Sequence, residues 1–466
     1  MITNKNILLI FILHIIFSLL PLLFTNNQLI NLSFTNYLFQ LIFFIFYYLY
    51  DYDKKVILLS PSILTYLYIN INFLIGSLGY MQDLYTLQNQ ELLVRTISHW
   101  QFYKLRLLYF NFFNIILIIS YYISKKFKTK PILFFNKYFS KINYKKSFFV
   151  AVILFAFFIL FHGFINKSNN FIILKGYTFI PVFLIATYII IHLSFSNSKF
   201  RYIYFLILLT LFVIFSYNSK REALVLLIPI ILIELNTYKH RIKLKLKTII
   251  SFIFVSLFVG WLVIGMSIMR GYGNFKPKNF FEALAYTNKY LSTKNSYSYL
   301  MNNFEILSTF FNSNNSIEIV NKDLEKLSYG STLFKPLFIF VPRSIWEGKP
   351  RSMIDRYTKE FDPMFRAKGG SYPISLPSEL FWNFHVFGLI VGMIIMFFLN
   401  LLYFSVIKSI KNKVIYYSVF KIFIYSMIPF LIRGSGFDLF FAILLIGFLI
   451  SILIYSIFTF FSILKY

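Results

Sequence analysis

Long apolar runs separated by short polar stretches dominate the chain. Runs of about 20 residues match what a helix needs to cross a hydrocarbon core about 30 Å thick. Backbone groups in lipid must be satisfied within their own segment, so these runs predict helices. The alternating segments of about ten residues that mark a membrane β-barrel are absent. The predicted spans are Ile7–Phe24, Phe34–Tyr50, Val56–Leu78, Arg106–Ile123, Ser147–Ile165 and Phe171–His192. They continue with Tyr202–Tyr217, Ala223–Leu235, Thr248–Met269, His385–Phe404, Val414–Ile432 and Phe437–Phe460. Ala223–Leu235 is short and is expected to join its neighbour through a kinked or re-entrant element.

Composition supports this pattern: 58% of residues are hydrophobic and 14% are charged, against roughly 45–50% and 25% in soluble domains. The net charge of +29 would suggest nucleic acid in a soluble protein. Here Lys and Arg collect in alternate loops. One set holds Lys5, Lys54 and Lys55, the run from Lys125 to Lys146, Lys199 with Arg201, and the run from Lys239 to Lys247. Lys408, Lys411, Lys413 and Lys465 complete it. With about twelve spans all these loops fall on one side, which the positive-inside rule makes cytoplasmic, together with both termini. The expectation is an all-α polytopic membrane protein without nucleic acid as a partner. It has three parts: residues 1–269 with nine spans, a large extracytoplasmic loop over 270–384, and three spans in 385–466.

There is no cysteine, hence no disulfide framework, thiol nucleophile or thiolate metal site. The first apolar run carries no small-residue cleavage site and reads as a retained span. No internal repeat suggests two inverted halves, which weighs against a secondary transporter.

The large loop carries ten of the seventeen carboxylates. Within it Asn279–Leu291 and Tyr297–Phe311 have helical apolar spacing and predict short amphipathic helices lying on the membrane face. Leu333–Phe340 is too short to span and reads as a re-entrant or interfacial segment.

Three groups of residues in and around this loop have the character of a site. In Val341-Pro-Arg-Ser-Ile-Trp-Glu-Gly-Lys-Pro350, with Arg351 and Arg356 following, Arg343, Lys349, Arg351 and Arg356 gather four cations. Guanidinium forks pair bidentately with phosphate, so the cluster suits a diphosphate or, equally, anionic headgroups. Arg221 at a helix start and Arg433 in the turn Ile432-Arg-Gly-Ser-Gly-Phe-Asp438 stand at the same membrane level; they serve a shared anion or snorkel to the interface. In Pro377-Ser-Glu-Leu-Phe-Trp-Asn-Phe384, Ser378 reads as a cap. Glu379 reads as a general base or a first-turn carboxylate stabilising the helix dipole, with His385 just beyond. Trp346, Trp382 and Tyr372 are candidates to stack on sugar rings, though interfacial aromatic belts place such residues at this depth too. Phosphate-loop, Rossmann and zinc-protease motifs are missing, and Glu360 with Asp362 is the nearest approach to a metal cluster. No cofactor and no metal are expected.

The plan of spans with one large late loop, together with three motifs, resembles the Wzy-type oligosaccharide repeat-unit polymerases of O-antigen and capsule synthesis. The motifs are Ser219-Lys-Arg-Glu-Ala223, Tyr329-Gly-Ser331 with Val341–Pro350, and Pro377–Phe384. They cover roughly residues 219–390; the first half resembles the family in topology alone. The resemblance implies a metal-independent glycosyltransferase on the outer face of the bacterial inner membrane. Such an enzyme moves a growing chain from its undecaprenyl-diphosphate carrier onto the next lipid-linked repeat unit, with membrane lipids, a chain-length regulator and a flippase as partners. It also implies Arg221, Arg343 and Arg433 as diphosphate ligands with Lys349 and Arg351 assisting, Glu379 as base and His385 as its substitute. An O-antigen ligase, or a flippase or other transporter, is the alternative reading.

Overall fold

The computed structural model describes residues 5–81, 101–127, 144–167, 177–196, 225, 227–237, 250, 261, 265, 280–291, 306–338, 341, 344–411, 415–434 and 436–463. Every regular element among them is helical. The longer helices are α1 (Lys5–Leu19), α2 (Ser33–Tyr50), α3 (Pro61–Met81), α4 (Tyr103–Lys126), α5 (Tyr144–Lys167), α6 (Phe179–Ser196) and α7 (Leu227–Thr237). The series continues with α8 (Phe280–Leu291), α9 (Ile306–Lys322), α10 (Met353–Phe361), α11 (Leu376–Phe384), α12 (Gly388–Lys411), α13 (Ile415–Arg433) and α14 (Phe437–Ile463).

Six helical stretches among the described residues are long and apolar enough to cross a membrane: Lys5–Leu23, Pro61–Gly79, Tyr103–Lys126, Lys146–Ile165, Leu376–Lys411 and Phe437–Phe461. The chain is therefore a helical protein with the character of a membrane protein. The predicted spans Tyr202–Tyr217 and nearly all of Thr248–Met269 lie outside the described residues. Val56–Leu78 is not one helix. Lys54–Leu58 forms a short helix that stops before Ser60, and α3 starts at Pro61. A proline is well placed in the first turn, where its missing N–H is not needed, and the Ser60 hydroxyl accepts from Ile63 N at 3.4 Å.

Packing divides the chain differently from the three parts expected from topology. One compact unit draws on Met1–Thr129, Phe304–Phe404 and Ile428–Ala442; the other takes Lys130–Asn303, Ser405–Met427 and Ile443–Tyr466. Within the predicted large loop, residues 270–303 fall in the second unit and 304–384 in the first.

The interior of the first unit is held by side-chain amides, hydroxyls and one imidazole. His14 bonds Gln40 Oε1 through Nε2 at 2.7 Å and meets Tyr47 Oη through Nδ1 at 3.3 Å. Gln40 donates to Asn111 at 3.1 Å, and Asn36 and Asn111 exchange two bonds at 3.1 and 3.0 Å. Asn70 and Asn114 do the same. In lipid, where apolar contact gives little preference for one partner helix over another, such bonds are worth about 0.6 to 2 kcal/mol each and set which helices meet.

The second unit pairs α5 with α6. Ser147 and Tyr188 hydroxyls bond at 2.7 Å, and His162 Nδ1 meets Thr178 Oγ1 at 2.6 Å. Lys421 on α13 reaches the Ser405 and Ser409 hydroxyls. Helix α8 buries Ala283 and Thr287 and exposes Phe281, the one-sided pattern its sequence predicts.

Of the surface helix expected over Tyr297–Phe311, residues 297–305 lie outside the described residues, and where the chain is described, in α9, the expectation fails. Described from Ile306, this helix is buried on all sides over most of its length, from Thr309 to Asn315 and at Ser316, Ile317, Glu318 and Val320. It packs on α3, where Phe310 meets Phe73 with centroids 5.5 Å apart. Gly76 makes that approach feasible, since a β-carbon there would stand 2.3 Å from Phe310 Cβ. Polar residues on a helix signal solvent only when no partner is available. Here Asn312, Ser313, Asn314 and Glu318 find partners on Tyr357, Ser375, Ser378 and Arg106.

Candidate functional site: a cationic cavity beside a buried carboxyl

Four segments of the first unit converge: 328–338, 346–366, 374–385 and 433–438. Helix α11 sets their frame. Ser375, in extended conformation with Pro377 in the first turn, occupies its N-cap; Ser378, the cap expected from sequence, instead donates to Ser313 O at 3.0 Å. The turn after α13 closes on this start. Gly434 has φ +90°, and a β-carbon would lie 1.4 Å from the Ile374 carbonyl oxygen, so only glycine permits the contact.

This docking buries Glu379, which is 1% exposed. Its Oε1 accepts from Thr332 Oγ1 at 3.1 Å, and Asn383 Nδ2 donates to the same hydroxyl at 2.7 Å and to the Glu379 carbonyl at 2.9 Å. The Phe437 amide is directed toward the carboxyl, yet Oε2 completes no hydrogen bond of ordinary geometry among the described residues. Lys335, three residues beyond Thr332, pairs with the Asp438 carboxylate.

Lys335 also lines a cavity of about 360 Å³ together with Arg351, Ser352, Asp355 and Arg366. Three cations and one carboxylate leave a net positive wall. Arg366 Nε lies 2.5 Å from Asp355 Oδ1, whereas Arg351 is only 3.5 Å from Oδ2 and its side chain is 53% exposed. Ser352 caps α10, its hydroxyl accepting from Asp355 N at 3.3 Å. The helix N-terminus thus adds its own partial positive charge beside the cavity. The arrangement suits a multiply charged anion, for which planar guanidinium forks are well matched.

Of the residues expected from sequence, Arg351 lines the cavity, and Glu379 lies one short segment away through Thr332 and Lys335. Arg221 and Arg343 lie outside the described residues. Lys349 does not line the cavity; its ammonium donates to the Val341 carbonyl at 2.9 Å. Arg433 ends α13, half-buried, and is also not in the wall. Arg356 is a brace: it donates to Ser328 Oγ at 2.7 Å and Ser331 Oγ at 3.1 Å. Burial pushes its pKa down, Arg351 adds to that, and Asp355 opposes it.

Two of the three aromatic residues are built into the protein rather than presented to a sugar. Trp382 is 2% exposed and donates its indole N–H to the Lys326 carbonyl at 2.8 Å. Tyr372 packs against Phe361 and Phe365 and donates to Asp362 Oδ2 at 3.3 Å; burial, reinforced by Asp362, pushes its phenol up to about 12. Trp346 is the most exposed of the three, at 38%. His385 sits at the junction of α11 and α12 with φ 51°. Its Nε2 lies 3.1 Å from Asn321 Oδ1, and its ring packs on Phe381.

Glu360 pairs with Lys326 at 2.9 Å, and Asp362 caps a short helix through Phe365 N. No three His, Asp or Glu side chains converge for a metal ion among the described residues.

Sequence reading missed Lys335 and Arg366, because nothing in their local pattern separates them from solvated loop charges. It also missed Arg106, fully buried at the head of α4. There a signal existed, since a charge at the edge of an apolar run is costly unless it meets a partner. Comparison with protein-family models, with curated proteins and with solved structures finds no match for this chain.

Proposed function

We propose that this protein is an oligosaccharide repeat-unit polymerase that works on lipid-diphosphate-linked sugars at the extracytoplasmic face of a bacterial inner membrane. The observation that carries the reading is the cavity walled by Lys335, Arg351 and Arg366 within the same folded segments as Glu379. Diphosphate is a good leaving group, so a transferase of this kind needs cations to hold the charge that develops on it. It also needs a base to take the proton from the acceptor hydroxyl.

In this proposal Arg351 and Arg366 hold the diphosphate, with Lys335 held in position by Asp438. Arg221, Arg343, Arg433 and Lys349 are further cations for the same anion. Glu379 is the base; Thr332 and Asn383 orient its carboxyl, and a movement of the 328–338 segment would be needed to admit the acceptor. His385, already engaged with Asn321, takes second place. The topology that accompanies this reading has twelve spans, both termini cytoplasmic and residues 270–384 outside. The partners are a flippase that delivers repeat units and a regulator of chain length.

The test is deletion of the gene in its host, with the surface polysaccharide run on a gel, followed by complementation with wild type and with Arg351→Ala. A collapse from a long ladder to single repeat units, not rescued by the variant, supports a polymerase. Loss of all repeats points to ligation or flipping, and an unchanged ladder removes polysaccharide assembly from the reading.

A further inference from the structure

Phe334, Leu337, Phe338, Ile345 and Trp346 form an exposed apolar cluster in the first unit. Leu337 is 74% and Ile345 77% exposed. The two stretches that supply these residues touch, with the Phe338 and Trp346 rings meeting edge to face at 5.0 Å. In water a contiguous group of such side chains is unfavourable and marks a contact surface.

What covers it follows from where it is fixed and what surrounds it. Thr332, two residues before Phe334, is tied to Glu379 and Asn383 on α11. Gly330 packs under the Phe384 ring at the end of the same helix. Helix α11 runs through His385 into α12, within the candidate span Leu376–Lys411. The cluster is therefore pinned to α11, at the start of a candidate span. Its composition fits headgroup depth, with a tryptophan at the rim and the cations Lys335, Lys349 and Arg351 flanking the apolar residues. Aromatic rings and basic side chains are the residues that settle between acyl chains and headgroups.

We propose that Phe334, Leu337, Phe338, Ile345 and Trp346 insert as a wedge into the phospholipid bilayer on the side of the large loop. The wedge sets the depth of the neighbouring cavity, because Lys335 lies between Phe334 and Leu337 and lines that cavity. An anion bound there would lie in the headgroup plane. The proposal rests on α12 being a span and is independent of any catalytic activity.

The chain has no cysteine, so a single introduced thiol can be labelled uniquely. Leu337→Cys, Ile345→Cys and, as an aqueous reference, Lys368→Cys would carry a nitroxide. Each variant is purified and reconstituted in vesicles of synthetic phosphatidylethanolamine and phosphatidylglycerol free of polyprenyl lipid. Power saturation is then compared between oxygen, which concentrates in acyl chains, and a water-soluble nickel chelate. Labels at 337 and 345 are expected to favour oxygen severalfold relative to the label at 368. Readings at 337 and 345 equal to that at 368 would overturn the wedge. So would labels shielded from both reagents, which would mean that a protein surface or another part of this chain covers the cluster. Leu337 and Ile345 are both exposed, so their substitution leaves the fold in place, and either site alone decides the outcome.

Discussion

Arg106 on α4 and Glu318 on α9 form an ion pair at 3.2 Å with side chains 0% and 3% exposed. The guanidinium also donates to Asn314 O at 3.0 Å, and the carboxylate accepts from Gln101 N and Phe102 N at 3.0 and 3.3 Å. The pair joins α9 to the head of α4, and its partners are divided between the two. A buried pair contributes little net stability over an apolar replacement, but leaving one member alone is costly. Glu318→Leu, which leaves Arg106 buried without its carboxylate, should destabilise the protein by about 3 to 5 kcal/mol. Arg106→Leu should cost less, because Lys322 still lies 3.4 Å from Glu318, and the double variant should recover part of the larger loss. Thermal unfolding in detergent checks it; additive losses in the double variant would show that the two charges do not depend on each other.

Glu379→Gln keeps an acceptor for Thr332 and the shape of the side chain while removing the ionisable oxygen. The expected outcome is a stably inserted protein that supports no polymer. Full ladder length with this variant would remove Glu379 as the base and leave it a structural carboxyl between Thr332 and Asn383.

Arg351→Ala removes a half-exposed side chain whose one salt bridge is long, so its effect on stability should stay within about 0.5 kcal/mol. Its effect on polymer length should nevertheless be severe. Arg366→Ala should show the same loss of polymer plus a modest loss of stability, because Asp355 then loses its short partner. The pair of readouts separates anion binding from folding.

Trp382→Ala should cost about 3 to 5 kcal/mol, as deletion of a buried aromatic ring does, and its activity loss should track its unfolding. A stable Trp382 variant with altered substrate dependence would instead restore the sugar-stacking role expected from sequence.

Gly434→Ala should prevent the turn after α13 from closing on Ile374. The β-carbon has no room there, and φ +90° is unfavourable for any side chain. Protein yield in membranes should fall well below wild type, since the clash is with main chain that cannot step aside.

The apolar runs by themselves determined that the described segments are helical, because a long hydrocarbon-length stretch has few other ways to satisfy its backbone; most helix ends lie two or more residues from those predicted. Phe34–Tyr50 differs from the observed α2 by one residue at its start, and Val414–Ile432 from α13 by one residue at each end. The loop residues that gather near Glu379 were also visible, since proline, glycine and arginine in close succession are unusual in so apolar a chain. What the tertiary structure alone decided is which polar groups meet. The pattern of α9 is that of a surface helix, and it is buried because Arg106, Ser375, Ser378 and Tyr357 lie elsewhere in sequence and supply its bonds. Trp382 was accessible by composition and became enclosed by packing. Lys335 and Arg366, unremarkable as letters, became cavity walls through Asp438 and Asp355. Periodicity records how each segment treats an apolar environment; partners distant in the chain leave no mark in it, and they place the charges.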